Sequence, residues 1–155
     1  MIDRYNYLEK VLHHILLGNK YLKKIFFDIE KILFLKKILL SAKYEKHIFI
    51  SGLPRSGSTF ILNYLYSTKK FSTITYRNMP FVMAINTFSK LNNNKKFEKT
   101  ERYHKDGVKF DIDSPESFDE IFFSTFNNEE AYNELENFLN LVNYNKGKTR
   151  YLSKN

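Results

Sequence analysis

The chain has 155 residues, of which 43% are hydrophobic and 17% aromatic, and it carries a formal net charge of +8. That length and apolar content give one compact domain with a sizeable core and exclude a disordered chain. No cysteine is present, which excludes disulfides, thiolate metal sites and cysteine nucleophiles and makes the cytoplasm the expected compartment.

No stretch approaches the roughly 18 uncharged residues that span a bilayer, and no secretory leader pattern opens the chain. Lysines are spread along the sequence among many Asn and Ile. The positive charge therefore reads as background that steers anions, with no nucleic-acid partner implied.

Residues 1–46 carry helical periodicity and form an N-terminal helical region. One apolar face is Leu8, Leu12, Ile15 and Leu16; a second, after a break near Gly18-Asn19, is Leu22, Ile25, Phe26, Ile29, Ile32 and Leu33. Packing on an α/β core is the expected use of these helices, with peripheral contact to a membrane surface as the alternative. His13 and His14 are adjacent in sequence, so they point about 100° apart on a helix and cannot share a metal as an i, i+4 pair does.

The stretch His47 to Thr68, HIFISGLPRSGSTFILNYLYST, reads as strand, anion cradle and helix. Two of the five glycines fall here, and Gly52 to Thr59 has the P-loop spacing G-x-x-x-x-G-x-[ST]. Ser58 stands where a nucleotide triphosphatase carries lysine, and no later apolar strand ends in a magnesium-binding Asp. Nucleotide hydrolysis is therefore disfavoured. Backbone N–H groups turned inward at a helix N-terminus, hydroxyls from Ser58 and Thr59, and the Arg55 fork suit phosphate or sulfate oxygens. A glycine turn without a ligand is the plain alternative.

Further along, Ser72 to Tyr76 reads as a second strand parallel to the first, with Arg77 overhanging the loop. Pro80 to Leu91 reads as a helix begun by proline, and Asn92 to Lys96 as a polar loop. Asp106-Gly107 marks a turn, and Val108, Phe110 and Ile112 alternate as an extended segment. Ser114-Pro115-Glu116 resembles a helix start, with Glu116 near the dipole's positive end and the helix running through Phe123. The acids Asp106, Asp111, Asp113, Glu116, Asp119 and Glu120 lack EF-hand spacing, so no metal is expected. A last helix, about 129–144, buries Ala131, Leu135, Phe138, Leu139 and Val142, ends at Gly147 and leads into a strand over 149–153.

PRSGST after a strand resembles the 5′-phosphosulfate loop of sulfotransferases, which use 3′-phosphoadenosine 5′-phosphosulfate (PAPS) as donor. The blocks FFDIEKILF, TYRNMPFVMAIN, YHKDGVKFDIDSPESFDEIFF and RYLSKN resemble bacterial members in order and spacing. The fold this implies is α/β, a P-loop-like three-layer α/β/α parallel sheet over residues 47–155 preceded by the N-terminal helices. The resemblance implies PAPS as donor, Arg55, Ser56, Gly57, Ser58 and Thr59 as its binding residues, and sulfonate transfer to a hydroxyl or amine of unidentified identity.

By resemblance Lys154 is the cation that meets the transferring sulfonate. The glutamate that tyrosine-type members place after the second strand has no counterpart at Tyr76-Arg77-Asn78. His104, an imidazole that titrates near neutrality, and Glu120, a carboxylate that burial would have to raise, are the candidate bases. The family's 3′-phosphate residues would fall after Asn155, so the sulfotransferase domain reads as incomplete, with a sheet edge open to self-association. A non-catalytic anion- or nucleotide-binding module is the alternative reading.

Overall fold

The computed structural model describes residues 18–39, 45–53, 55–89, 100–101, 109–110, 112–116 and 118–154. The first predicted apolar face, His104 and the Asp106-Gly107 turn lie outside the described residues.

Helix α1, Lys20–Leu39, contains no glycine or proline and starts where the Asn19 side chain accepts hydrogen bonds from the N–H groups of Tyr21 (2.9 Å) and Leu22 (3.2 Å). Its last turn carries Lys36 and Lys37, placed to favour the negative end of the helix dipole. The buried stripe is Phe27, Glu30 and Ile38, with Phe34 and Leu35 partly covered. This corrects the face expected from sequence, since Ile25, Ile29, Ile32 and Leu33 are exposed. Apolar residues lie on most sides of this helix, so its partner selects the stripe.

That partner is α4, Asn128–Lys146, reached through a short helix α3, Glu120–Thr125. A capping box opens α4: Asn127 Oδ1 accepts from the Glu130 N–H at 2.8 Å, and Glu130 Oε2 accepts from the Asn127 N–H at 3.0 Å. Gly147, in the left-handed region at φ 61°, ends the helix. Lys24 to Glu130 (2.7 Å) and Lys31 to Glu134 (2.5 Å) tie α1 to α4. Ala131, Phe138, Leu139 and Val142 are buried as their spacing predicts, and Leu135 packs partly covered against them.

Among the described residues the parallel sheet has two strands, β1 (Ile48–Ile50) and β4 (Leu152–Lys154), paired Ile48 to Leu152, Phe49 to Ser153 and Ile50 to Lys154. A separate antiparallel pair, β2 (Thr100–Glu101) and β3 (Lys109–Phe110), lies elsewhere in the chain. The expected strand at Ser72 to Tyr76 is reduced to single bridges, Ser72 with Tyr151 in parallel and Thr75 with Pro115 in antiparallel sense. The Ser72 N–H donates to Arg150 O (2.7 Å) and Ser72 O accepts from the Leu152 N–H (2.9 Å), so this segment runs beside β4 on the edge away from β1. The described architecture is mixed helix with a small parallel sheet.

Two other expected helices differ. From Pro80 the chain makes a 3-10 turn at Val82–Ala84 in place of an α-helix. The buried Glu30 carboxylate draws the next backbone donors away, accepting from the N–H groups of Asn86 (2.6 Å) and Thr87 (3.1 Å). Ser114-Pro115-Glu116 is extended against Thr75, and the helix begins only at Glu120, after Asp119. Among the described residues no helix is long and apolar enough to cross a membrane.

Alternation along β4 separates two apolar clusters. Tyr151 joins the main core of α1, α3, α4 and residues 74–85, whereas Leu152 joins Leu62 and Phe71 beneath the helix that follows β1. In the main core Phe122 is fully buried, stacked on Phe138 (4.5 Å between centroids) and edge-on to Phe27 (5.9 Å). Phe122→Ala should therefore cost about 3–5 kcal/mol of unfolding free energy, read as a lowered urea midpoint. A loss under about 1 kcal/mol would show that this ring is not central to the core.

Candidate functional site

β1 ends at Ile50, and the chain passes through Ser51 to Gly57 into helix α2, Ser58–Ser67. The loop is held by the Ser56 N–H donating to Leu53 O (3.1 Å) and the Ile61 N–H donating to Gly57 O (3.1 Å). Both glycines are used physically. A Cβ on Gly52 would stand 2.6 Å from Ser56 Oγ, and Gly57 adopts φ 83°, which favours a residue without a Cβ. Arg55 also has a positive φ, 65°, a conformation uncommon outside glycine and one that redirects the chain within the loop. Arg55, Ser56 and Gly57 are exposed, while Ser58 and Thr59 are half-buried.

Because β1 and β4 are parallel, their carboxyl ends share one edge, and Lys154 lies opposite Ile50, where the loop begins. Its Nζ donates to Thr59 Oγ1 at 2.8 Å. The same ammonium stands 3.3 Å from Glu116 Oε1. Glu116 is fixed in turn: its N–H donates to Ile74 O (3.2 Å), and the Tyr76 hydroxyl donates to Oε2 (3.1 Å). Lys154 is thus gathered with the loop, together with Glu116 and Tyr76, whose meeting depends on the long-range Thr75–Pro115 bridge. No local pattern in the sequence signals that bridge.

Arg77, expected to overhang the loop, instead makes a two-pronged ion pair with Asp113, Nε to Oδ1 and Nη2 to Oδ2 both at 2.6 Å. Hydrogen bonding from Arg77 holds the Asp113 carboxyl below its usual range, with burial opposing. Glu120 is exposed in the first turn of α3. The buried carboxylate at this turn is the preceding residue, Asp119.

Asp119 is buried and accepts a hydrogen bond from Ser153 Oγ at 2.6 Å. Burial pushes its carboxyl up, and the Ser153 bond opposes this. Tyr151 is fully enclosed, and burial, then the nearby Asp119 charge, raise its phenol well above the usual value. At the other end of the sheet, His47 Nδ1 accepts from the Tyr151 N–H at 3.0 Å. Burial and Arg150 lower its pKa, so the neutral ring is favoured and serves as a strand fastener.

Among the described residues, no group of three or more His, Cys, Asp or Glu side chains is placed to hold a metal ion. No protein-family model, curated protein or solved structure matches the chain.

A raised carboxyl pKa has a definite sign for stability. Above the unfolded-state value near 3.8 the folded state begins to bear the cost of a buried charge, which is complete once pH exceeds the folded value. Asp119→Asn, which can still accept from Ser153, should therefore gain thermal stability relative to wild type as pH is raised from 4 to 7. Melting curves at three pH values check this, and a difference that shrinks with rising pH would refute the assignment.

Proposed function

We propose that the chain is a PAPS-dependent sulfotransferase domain in which the Arg55–Thr59 loop receives the phosphosulfate and Lys154 faces the sulfonate that is transferred. The observation that carries this reading is the 2.8 Å hydrogen bond from Lys154 to Thr59. Two elements that the family resemblance names independently, a loop after the first strand and a lysine 95 residues later, thereby share one edge of the sheet.

In the reaction the acceptor oxygen or nitrogen bonds to sulfur and loses its proton. The bond from sulfur to the bridging oxygen breaks, and its electron pair stays on the departing 5′-phosphate. Inward N–H groups and hydroxyls of the loop hold the oxyanion, Arg55 offers paired donors to its oxygens, and Lys154 offsets charge that builds on the bridging oxygen. His104, outside the described residues, is the proposed proton acceptor; the exposure of Glu120 makes it the weaker candidate. The lack of cysteine fits a cytoplasmic setting.

A second reading, a non-catalytic anion-binding module, is favoured by the same loop without any appeal to transfer. Calorimetry with 3′-phosphoadenosine 5′-phosphate separates the two. The transferase reading expects this nucleotide to bind more tightly than inorganic sulfate, and the module expects no such preference. Arg55→Ala should weaken nucleotide binding by about 1.5–3 kcal/mol, the range for losing bonds to a charged partner, while leaving the melting temperature nearly unchanged because the side chain is exposed. Normal nucleotide binding with a much lower melting temperature would make Arg55 a structural residue.

A further inference from the structure

Lys154 does not face the loop alone: Glu116 Oε1 stands 3.3 Å from its ammonium, and both side chains are mostly buried, 14% and 21% exposed. The carboxylate accepts from the Tyr76 hydroxyl at 3.1 Å, and the Glu116 backbone is held by its N–H on Ile74 O. Tyr76 is braced by an edge-on contact with Phe118, 5.0 Å between ring centroids. A negative charge is therefore fixed beside the cation of an anion-binding loop.

Such a carboxylate acts in two opposite senses. It orders the lysine, which favours binding, and it repels any oxyanion that approaches the same ammonium. Thr59 already restrains Lys154, so the ordering contributed by Glu116 is partly redundant. Repulsion at contact distances between partly buried charges is large, because little water screens it. Repulsion wins.

We propose that Glu116 is the resident counter-anion of Lys154, which an incoming sulfate- or phosphate-type oxyanion must displace, so that Glu116 sets how highly charged an anion has to be to occupy the loop. Multiply charged oxyanions draw the ammonium away from a single carboxylate. Singly charged carboxylates and halides gain little by the exchange. The inference rests on the anion site of the proposed function but not on sulfonate transfer.

The test is calorimetric titration of the full chain with inorganic sulfate and, separately, with 3′-phosphoadenosine 5′-phosphate. Glu116→Gln, which keeps an acceptor for Tyr76, should bind both about tenfold more tightly, the scale expected for removing a like charge a few ångströms from the ligand. Glu116→Met is a second neutral variant, expected to tighten binding in the same sense should the glutamine variant melt early. Glu136→Gln is the control for net charge, being an exposed acid on α4, and should leave both affinities within about twofold.

Tightening of sulfate binding in the neutral Glu116 variants, with none in Glu136→Gln, supports the proposal even if wild type shows no preference for the nucleotide, a result that would retire the transferase reading alone. Unchanged or weaker binding in both Glu116 variants overturns the proposal, as does equal tightening in Glu136→Gln. Failure of wild type and both Glu116 variants to bind either anion overturns it together with the site.

Discussion

The pairing of β4 with β1 is the constraint on which the rest of the molecule depends. Over three residues β4 places Leu152 in the small cluster under α2, Ser153 against Asp119 and Lys154 against Thr59, while the preceding Tyr151 enters the main core. The chain before it is fastened by His47 Nδ1 and by Ile48, whose N–H donates to Tyr151 O at 2.9 Å. Core, sheet and candidate site thus share four consecutive residues, and each side-chain direction follows from the pleat.

Support for that strand comes from a buried polar framework as well as from apolar area. Glu30 takes backbone donors from residues 86 and 87, Asn86 donates through Nδ2 to Leu141 O at 3.0 Å, and the Ser72 hydroxyl donates to Asn143 Oδ1. Each link joins elements far apart in sequence. Burying these groups unpaired would cost more than their hydrogen bonds contribute, so they act mainly to exclude other arrangements of α1, the turn at 82–88 and α4.

The sequence made some of this legible and hid the rest for identifiable reasons. The loop could be read because its requirements are local: Gly52 admits a close Ser56 hydroxyl, and Gly57 supplies a positive φ. Helix α4 was similarly visible, since its apolar spacing and Gly147 stop lie within one segment. Local signals failed where a distant partner overrode them. Pro80 suggested a helix start, yet Glu30, 56 residues away from Asn86, captures the donors of the following turn. Ser114-Pro115-Glu116 looked like a cap, but Thr75 takes Pro115 into a bridge, and that bridge carries Glu116 to Lys154. On α1 apolar residues on most sides left the buried stripe undetermined until Glu130 and Glu134 selected the side bearing Lys24 and Lys31.

The short length of β4 has an implication for error during folding. A strand that slips by one residue against its neighbour turns every side chain to the opposite face. Here a slip would send Lys154 away from α2 and the loop, push Leu152 toward the Asp119 side and bring the Tyr151 ring to the wrong cluster. A misregistered molecule would therefore lose its core and its lysine in the same step. The position of Lys154 is proofread by the burial of Tyr151 and Leu152, which gives the cation of the candidate site the positional fidelity of a core residue.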